Sequence, residues 1–183
     1  MINGKSWFAF FSHTGSEIVN ISKRLGIVPD CVITTQKPSS KQINSELKKI
    51  AKCIKYICNK PDATDYHNIL SDCDGECICT LHGWMRIVPK STCKDYRMYN
   101  LHPGLITKYP ELKGKDPQKR VDPETHSRIG VVIHTVTPVV DGGAIWAEAS
   151  CRNVYSGEKS VTVRLHDMAT SLWCDFFEQK LMK

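Results

Sequence analysis

A short apolar run near the beginning of the chain, Ser6–Phe11, most constrains what this sequence can fold into. It reads Ser-Trp-Phe-Ala-Phe-Phe and lacks the apolar and polar alternation of a half-exposed strand, so both faces of it avoid water. Strands that are apolar on both faces are typical of parallel sheets that helices cover on both sides. The sequence therefore predicts a fully buried strand in such a sheet.

The residues after this strand predict a loop, a helix and a second strand. A polar loop, Ser12–Glu17, precedes apolar residues at helical spacing, and Gly26 is typical of a helix end. Asp30–Thr35 has the composition of a strand, which completes a βαβ unit. The backbone N–H groups of such a loop and of the first helical turn can bind an anion. Ser16 can equally cap the helix, so the residues alone leave both roles open.

Later segments alternate between helix and strand patterns. An amphipathic helix is predicted over Ile43–Ile57, where isoleucine and leucine recur at helical spacing, and a closing helix is predicted from Val161 to Phe176 in the same way. Further strands are predicted at Glu76–Leu81, Arg97–Leu101, Arg128–Val136 and Ala144–Ala149. This order predicts an α/β fold with a mostly parallel central sheet and helices on both faces.

Length and charge give weaker constraints. The chain has 183 residues, so we expect a single domain over residues 1–183. Its formal net charge of +6 suits a polyanion, but acidic residues interrupt the basic ones, and only Lys48, Lys49, Lys52 and Lys55 cluster. We interpret this cluster as a solvated helix face rather than a nucleic-acid interface. The charge also suits a small phosphorylated substrate.

The chain has nine cysteines, an odd number, and begins with no apolar signal segment. It also lacks a run of about 18 apolar residues that could cross a membrane, so we expect a cytoplasmic protein with free thiols. A zinc hypothesis involves Cys73, Cys77, Cys79 and Cys93, with His67 or His82 as further ligands. The spacing lacks the paired short units of a zinc knuckle, which favours small core thiols and no metal.

Three residues carry candidate chemistry: Asn100 and His102 at the end of a predicted strand, and Asp141 in a later turn. An amide, an imidazole and a carboxylate can together hold a neutral amine, stabilise an oxyanion and move a proton. Taken singly, each residue has an ordinary interpretation in a turn or loop. The segment Thr107–Glu124 contains three prolines and predicts a long loop, which in compact domains often binds ligands.

Several motifs together resemble one known family. The segment Asn100–Ile106 (Asn-Leu-His-Pro-Gly-Leu-Ile), with the later Asp-Gly-Gly of Asp141–Ile145, resembles the active site of folate-dependent formyltransferases. Leu81–Ile87 is similar to that family's aliphatic-x-Gly-aromatic-Met-Arg-Ile stretch, and His134–Thr137 to its His-x-Val-Thr. Order and spacing agree over most of Trp7–Ala149.

The resemblance implies a Rossmann-like formyltransferase fold and 10-formyltetrahydrofolate as co-substrate. It implies that Asn100 and a protonated His102 hold the oxyanion, and that Asp141 raises the pKa of His102 and moves the proton. His134 is expected to support these residues rather than to transfer the proton itself. Residues implied to line the pterin pocket are Met85, Arg86, Ile87, Val139 and Val140. The residues implied to bind the acceptor are Ser12, Gly15, Ser16 and Glu17. Its phosphate is expected near Gly15 and Ser16.

Three departures from the family leave the acceptor open. His13 stands where the family usually has glycine, and Ala169 replaces a glutamate that would hold a ribose. Lys113–Pro117 is closer to a loop of methionyl-tRNA and sugar-nucleotide formyltransferases. The expected partner is thus a small phosphorylated or nucleotide-like amine: glycinamide ribonucleotide, or an amine-bearing base or sugar nucleotide. The alternative is a non-catalytic folate- or nucleotide-binding module.

Overall fold

The computed structural model describes residues 4–37, 39–73, 76–154 and 157–180, so both ends of the domain expected over 1–183 lie outside the described residues. The strands are β1 (Lys5–Phe11), β2 (Cys31–Thr34), β3 (Ile54–Tyr56), β4 (Glu76–His82), β5 (Met98–His102), β6 (Arg128–Thr135) and β7 (Ile145–Arg152). The helices are α1 (Ser16–Leu25), α2 (Ser45–Ile50), α3 (Ala63–Leu70), α4 (Lys90–Asp95) and α5 (Glu158–Lys180).

The described strands form one sheet in the order β3-β2-β1-β4-β5-β6-β7. Strands β1 to β5 run parallel, and β6 and β7 add an antiparallel edge. The predicted α/β class with a mostly parallel sheet is confirmed. Parallel sheets place the carboxyl ends of their strands along one edge, which is where α/β folds bind ligands.

Strand β1 is buried along Ser6–Phe11, as its apolar run predicts. Because side chains alternate along a strand, Trp7 and Phe11 pack on one face with α1 and α5, whereas Phe10 packs on the other face with Tyr66 of α3. Helix α5 buries the residues that predicted it, from Val161 to Phe176. Two cores therefore sandwich the sheet and fix its carboxyl edge.

The helix predicted over Ile43–Ile57 is wrong in its second half. The helix ends at Ile50, Ala51 is extended, and Ile54–Tyr56 forms the edge strand β3 beside β2. β-Branched and aromatic residues favour a strand where a neighbouring strand offers backbone partners, and this tertiary pairing overrides the helical spacing. The predicted face of four lysines is consequently not formed, since Lys52 pairs with Asp30 and Lys55 with Asp72.

The cysteines of the zinc hypothesis lie in or against the core on the α3 side of the sheet. Cys79 is buried in this core, and Cys73, Cys77 and Cys93 pack against the core. Within the described ranges, no group of three or more His, Cys, Asp or Glu side chains is arranged to hold a metal ion. None of the helices described is long and apolar enough to cross a membrane.

Candidate active site

The carboxyl ends of β4 and β5 and the turn after β6 open onto a cavity of about 770 Å³. This volume is within the range of small-molecule binding sites. Residues Gly114–Gln118 of the long loop and residues of α5 complete the wall. The cavity is therefore the candidate active site.

Strand β5 delivers two of the predicted catalytic side chains. Asn100 and His102 are two residues apart and so project from the same face of the strand. The antiparallel register places His134 of β6 directly opposite Asn100, and Asn100 Nδ2 lies 3.2 Å from His134 Nε2. All three residues line the cavity.

Asp141 joins these side chains from the turn after β6. Its Oδ2 lies 3.1 Å from His102 Nδ1 and accepts a hydrogen bond of 2.8 Å from the Gly114 N–H. Its Oδ1 lies 3.3 Å from His134 Nε2. The backbone of Asp141 is left-handed, with φ of 49°, a conformation whose cost is often retained at functional sites. Asn100, His134, Asp141 and His102 thus form one connected group, hereafter called the catalytic cluster after the role predicted for it.

For both Asp141 and His102, burial and the neighbouring polar groups shift the pKa in opposite directions. Burial alone would raise the pKa of Asp141, but the His134 hydrogen bond, the charge of His102 and the Gly114 N–H bring it below its ordinary value. Burial lowers the pKa of His102, and Asp141 only partly opposes this. The expectation that Asp141 raises the pKa of His102 describes its local effect, but the net shift is downward because desolvation is larger.

The hydrogen-bond partners of His102 indicate which of its ring nitrogens can carry a proton. Besides Nδ1 at Asp141, its Nε2 lies 2.9 Å from the Leu112 carbonyl oxygen of the long loop. Both partners are acceptors, so a neutral ring satisfies one contact and a protonated ring satisfies both. A proton on Nδ1 therefore lies between His102 and Asp141.

The contacts of His134 explain how Asn100 is oriented. His134 Nδ1 donates to the Thr135 carbonyl oxygen at 2.9 Å. A protonated ring also donates from Nε2 to Asp141 Oδ1 at 3.3 Å, whereas a neutral ring accepts at Nε2 from Asn100 Nδ2. The second N–H of the Asn100 amide is then left for a group in the cavity. This arrangement supports the expectation that His134 positions other residues.

The residues predicted for the pterin pocket all line the cavity. Met85 and Ile87 on one side, and Val139 and Val140 on the other, are large apolar side chains that are 47 to 68% exposed. The guanidinium of Arg86 donates to Met85 O and Asn59 Oδ1, while its buried Nε has no hydrogen-bond partner among the described residues. Exposed apolar walls fit a flat heteroaromatic group.

Of the residues predicted to bind the acceptor, only Glu17 lines the cavity. The hydroxyl of Ser12 is buried and accepts from the Met85 N–H at 3.0 Å, so it supports the pocket from behind. The Ser16 N–H donates to Thr14 Oγ1, and the Ser16 hydroxyl contacts Thr14 and Asn44. The polar groups of Thr14 and Ser16 therefore bond each other and Asn44 rather than a group in the cavity.

Gly15, rather than Ser16, is the N-cap of α1, and it makes no side-chain cap. Its φ of 72° is left-handed, and a Cβ at this position would lie 2.3 Å from Leu47 Cδ2. Gly15 is therefore a packing residue under α2. Its burial is the physical reason why it does not reach the cavity.

A buried network behind Glu17 was not predicted. Glu17 Oε2 accepts from His82 Nδ1 at 2.6 Å and from Trp173 Nε1 at 3.2 Å, while His82 Nε2 contacts Thr80 Oγ1 at 2.8 Å. Trp7 Nε1 also donates to Thr80. These residues come from four separate elements, and no sequence spacing links them. The network fixes a carboxylate at the α1 end of the cavity.

Arg120 is a second unpredicted residue. Its guanidinium donates to carbonyl oxygens of the long loop at Glu111, Leu112, Lys113 and Lys115. The same segment supplies the Leu112 carbonyl to His102 and the Gly114 N–H to Asp141. Arg120 therefore positions loop groups that touch the catalytic cluster. A lone arginine in a loop carries no sequence pattern that could have identified it.

The fold and the site define the class of protein. The formyl transferase family matches residues 61–174, which include the entire catalytic cluster, and the chain belongs to this family. Among individual relatives, it is 30% identical over 100 residues to the phosphoribosylglycinamide formyltransferase of Escherichia coli strain K12. That alignment covers 52% of this chain and 45% of the E. coli protein.

Solved structures share the fold over almost the whole chain. The phosphoribosylglycinamide formyltransferase of Streptococcus pneumoniae TIGR4 superposes with a TM-score of 0.78 at 19% identity, covering 96% of this chain and 98% of that one. A formyltetrahydrofolate deformylase from Pseudomonas syringae pv. tomato superposes with a TM-score of 0.71 at 16% identity, over 93% of this chain and 59% of that one. At these identities, the superpositions establish the fold.

Proposed function

We propose that this protein transfers the formyl group of 10-formyltetrahydrofolate to a primary amine of a small, nucleotide-like acceptor. The observation that carries the proposal is the catalytic cluster itself, in which Asn100, His134, Asp141 and His102 contact one another at the wall of the cavity. Folate is proposed to lie between Met85–Ile87 and Val139–Val140, where exposed apolar groups face the cavity.

The proposed roles follow from the contacts. Attack of the amine nitrogen on the formyl carbon converts the carbonyl oxygen to an oxyanion, which the free N–H of Asn100 stabilises by a hydrogen bond and the protonated His102 by its positive charge. The new C–N bond forms as this tetrahedral species appears, and the bond from carbon to the folate nitrogen breaks as it collapses. Asp141 takes the amine's proton, with His102 beside it, and delivers it to the departing nitrogen.

The acceptor is proposed to place a hydrogen-bond donor, a hydroxyl or an ammonium group, against Glu17. A carboxylate repels phosphate, and the Ser16 N–H at the start of α1 is already engaged. A phosphate on the acceptor is proposed to lie toward Lys115, which also lines the cavity. This departs from the phosphate position implied by the family resemblance.

The decisive experiment incubates the protein with 10-formyltetrahydrofolate and a panel of amines, including glycinamide ribonucleotide and amino-sugar nucleotides. Mass spectrometry of the amines and an assay for free formate are run together. A formylated amine supports the proposal. Formate without a formylated amine indicates hydrolysis, as in the deformylase that shares the fold, and folate binding without either product indicates a binding module.

The variant His102→Ala is the companion measurement. We expect it to abolish turnover while folate affinity stays nearly unchanged, because His102 contacts Asp141 and Leu112 rather than the apolar walls. A parallel loss of folate affinity contradicts the assigned role.

A further inference from the structure

A second cavity lies far along β4 from the active site and has thiols in its wall. It has a volume of about 610 Å³ and borders the beginning of β4, whereas the active site borders the end of that strand. Cys77 and Cys73 line this cavity together with His67 and Arg97. None of these residues takes part in the proposed formyl transfer.

Three sulfur atoms converge here. Cys77 and Cys79 are two residues apart on β4 and share a face of the strand, with their Sγ atoms 3.9 Å apart. Cys73, which follows α3, also hydrogen-bonds the Cys77 sulfur. Cys79 is fully buried, but Cys77 and Cys73 are only partly buried and reach the cavity. Cys77 is thus an accessible sulfur between two thiol donors.

The surroundings of Cys77 favour its thiolate. The hydrogen bond from Cys79 outweighs burial and, with a smaller contribution from Cys73, lowers the pKa of Cys77 to about 7. Cys58 provides the contrast within the same chain: it is exposed, yet desolvation and the Asp65 carboxylate raise its pKa. The more accessible thiol is therefore the less ionised one.

We propose that Cys77 is a site of reversible oxidation by hydroperoxides, with Cys73 as the thiol that resolves it. The Cys77 thiolate attacks a peroxide oxygen, the O–O bond breaks, and a sulfenic acid and a hydroxide or alkoxide form. The Cys73 thiol then gives up its proton as its sulfur attacks the Cys77 sulfur; the S–S bond forms, the S–O bond breaks, and the departing hydroxide takes up that proton as water. Two thiols are oxidised to a disulfide while the peroxide is reduced.

Cys73 rather than Cys79 is the resolving partner because the backbone at Cys73 is not held by strand pairing. Cys79 is held within a strand that pairs on both sides, with β1 and β5, whereas Cys73 lies outside the sheet after α3. Disulfide formation requires the two Cβ atoms to approach, and a residue outside the sheet can move without breaking strand pairs.

The first test uses the unaltered protein. Iodoacetamide labelling of each cysteine is followed by peptide mass spectrometry as a function of pH. We expect the Cys77 rate to level off above about pH 8, while the Cys58 rate keeps rising past about pH 9. A Cys77 rate that rises in parallel with that of Cys58 overturns the proposal.

The second test uses hydrogen peroxide at a small excess, with dimedone to trap sulfenic acid. We expect a Cys73–Cys77 disulfide in the unaltered protein, and a dimedone adduct at Cys77 in Cys73→Ser. Cys58→Ser is the matched control and should behave as the unaltered protein. A disulfide or adduct that arises first at Cys58, or no adduct at Cys77 in Cys73→Ser, overturns the proposal.

Discussion

The two ends of the active-site cavity differ in how their polar groups are used. At the catalytic cluster, side chains from β5, β6 and the following turn bond one another at the cavity wall. At the α1 end, the polar groups of Thr14 and Ser16 bond each other and Asn44, and the predicted acceptor-binding residue that reaches the cavity is Glu17, with its carboxylate. The catalytic cluster is thus formed by side chains from several elements, whereas the polar groups of the predicted anion-binding loop already have hydrogen-bond partners within the protein.

The two ends also differ in what positions their groups. Asn100, His102 and His134 are placed by alternation along β5 and by the β5–β6 register, and Asp141 by the turn after β6. The loop depends on individual side chains such as Glu17 and on packing of Gly15 against Leu47. Variants at each end can break or sharpen this contrast.

Asp141→Asn should have the largest effect. It removes the proton acceptor and the charge beside His102, and we expect kcat for formyl transfer to fall by about 10²- to 10⁴-fold. Rapid-quench assays measure turnover, and fluorescence titration measures folate affinity, which should stay nearly constant. Asp95→Asn on α4, outside the cavity, is the control. A loss below tenfold would remove Asp141 from the proton transfer.

Asn100→Ala should follow, with kcat lower by about 10²- to 10³-fold, because it removes one oxyanion donor. His134→Gln should lower kcat less, because His134 acts by orienting Asn100 and the glutamine amide can still accept a hydrogen bond from Asn100. Steady-state kinetics of both variants and of the double variant measure their coupling. Strictly additive losses would show that His134 does not act through Asn100.

The pH dependence should expose the proton of the cluster. Because burial lowers the pKa of His102, kcat/KM should fall with rising pH from a midpoint below the ordinary histidine value of about 6.5 if the protonated ring holds the oxyanion. The fall approaches about tenfold per pH unit beyond the midpoint. A pH–rate profile in constant-ionic-strength buffers measures it. A rate that rises over the same range assigns the function to the neutral ring.

Glu17→Gln should act on the acceptor and not on the folate. Loss of the charge facing an acceptor hydroxyl or ammonium group should raise the acceptor KM by about tenfold, equivalent to about 1.4 kcal/mol, with little change in kcat. Initial-rate kinetics with each substrate varied in turn measure both constants. Ser16→Ala, behind the cavity wall, is the control. The reverse result, with Ser16→Ala raising KM and Glu17→Gln inert, would restore a phosphate at the loop.

The sequence was sufficient where a local pattern and the fold act together. The apolar run of β1, the stripe of α5 and the shared face of Asn100 and His102 follow from strand alternation and helix spacing. Asp141 lies in a turn, and its place beside them was predicted from the family resemblance. Strand β3 was missed because its short apolar pattern also fits a helix, and pairing with β2 decides between them. The Glu17–His82 contact joins residues 65 positions apart, which no local pattern encodes.

Gly15→Ala should have the smallest effect on turnover but a measurable one on stability. A left-handed non-glycine residue costs about 1–2 kcal/mol, and the clash with Leu47 should add about 1–3 kcal/mol of overpacking. Gly26→Ala is the matched control, since its φ of 66° is similar and its Cβ would meet no atom within 4 Å. Urea denaturation should therefore show a larger loss for Gly15→Ala, and Leu47→Ala should remove the difference. Equal losses for the two glycine variants would mean that Leu47 does not fix the loop.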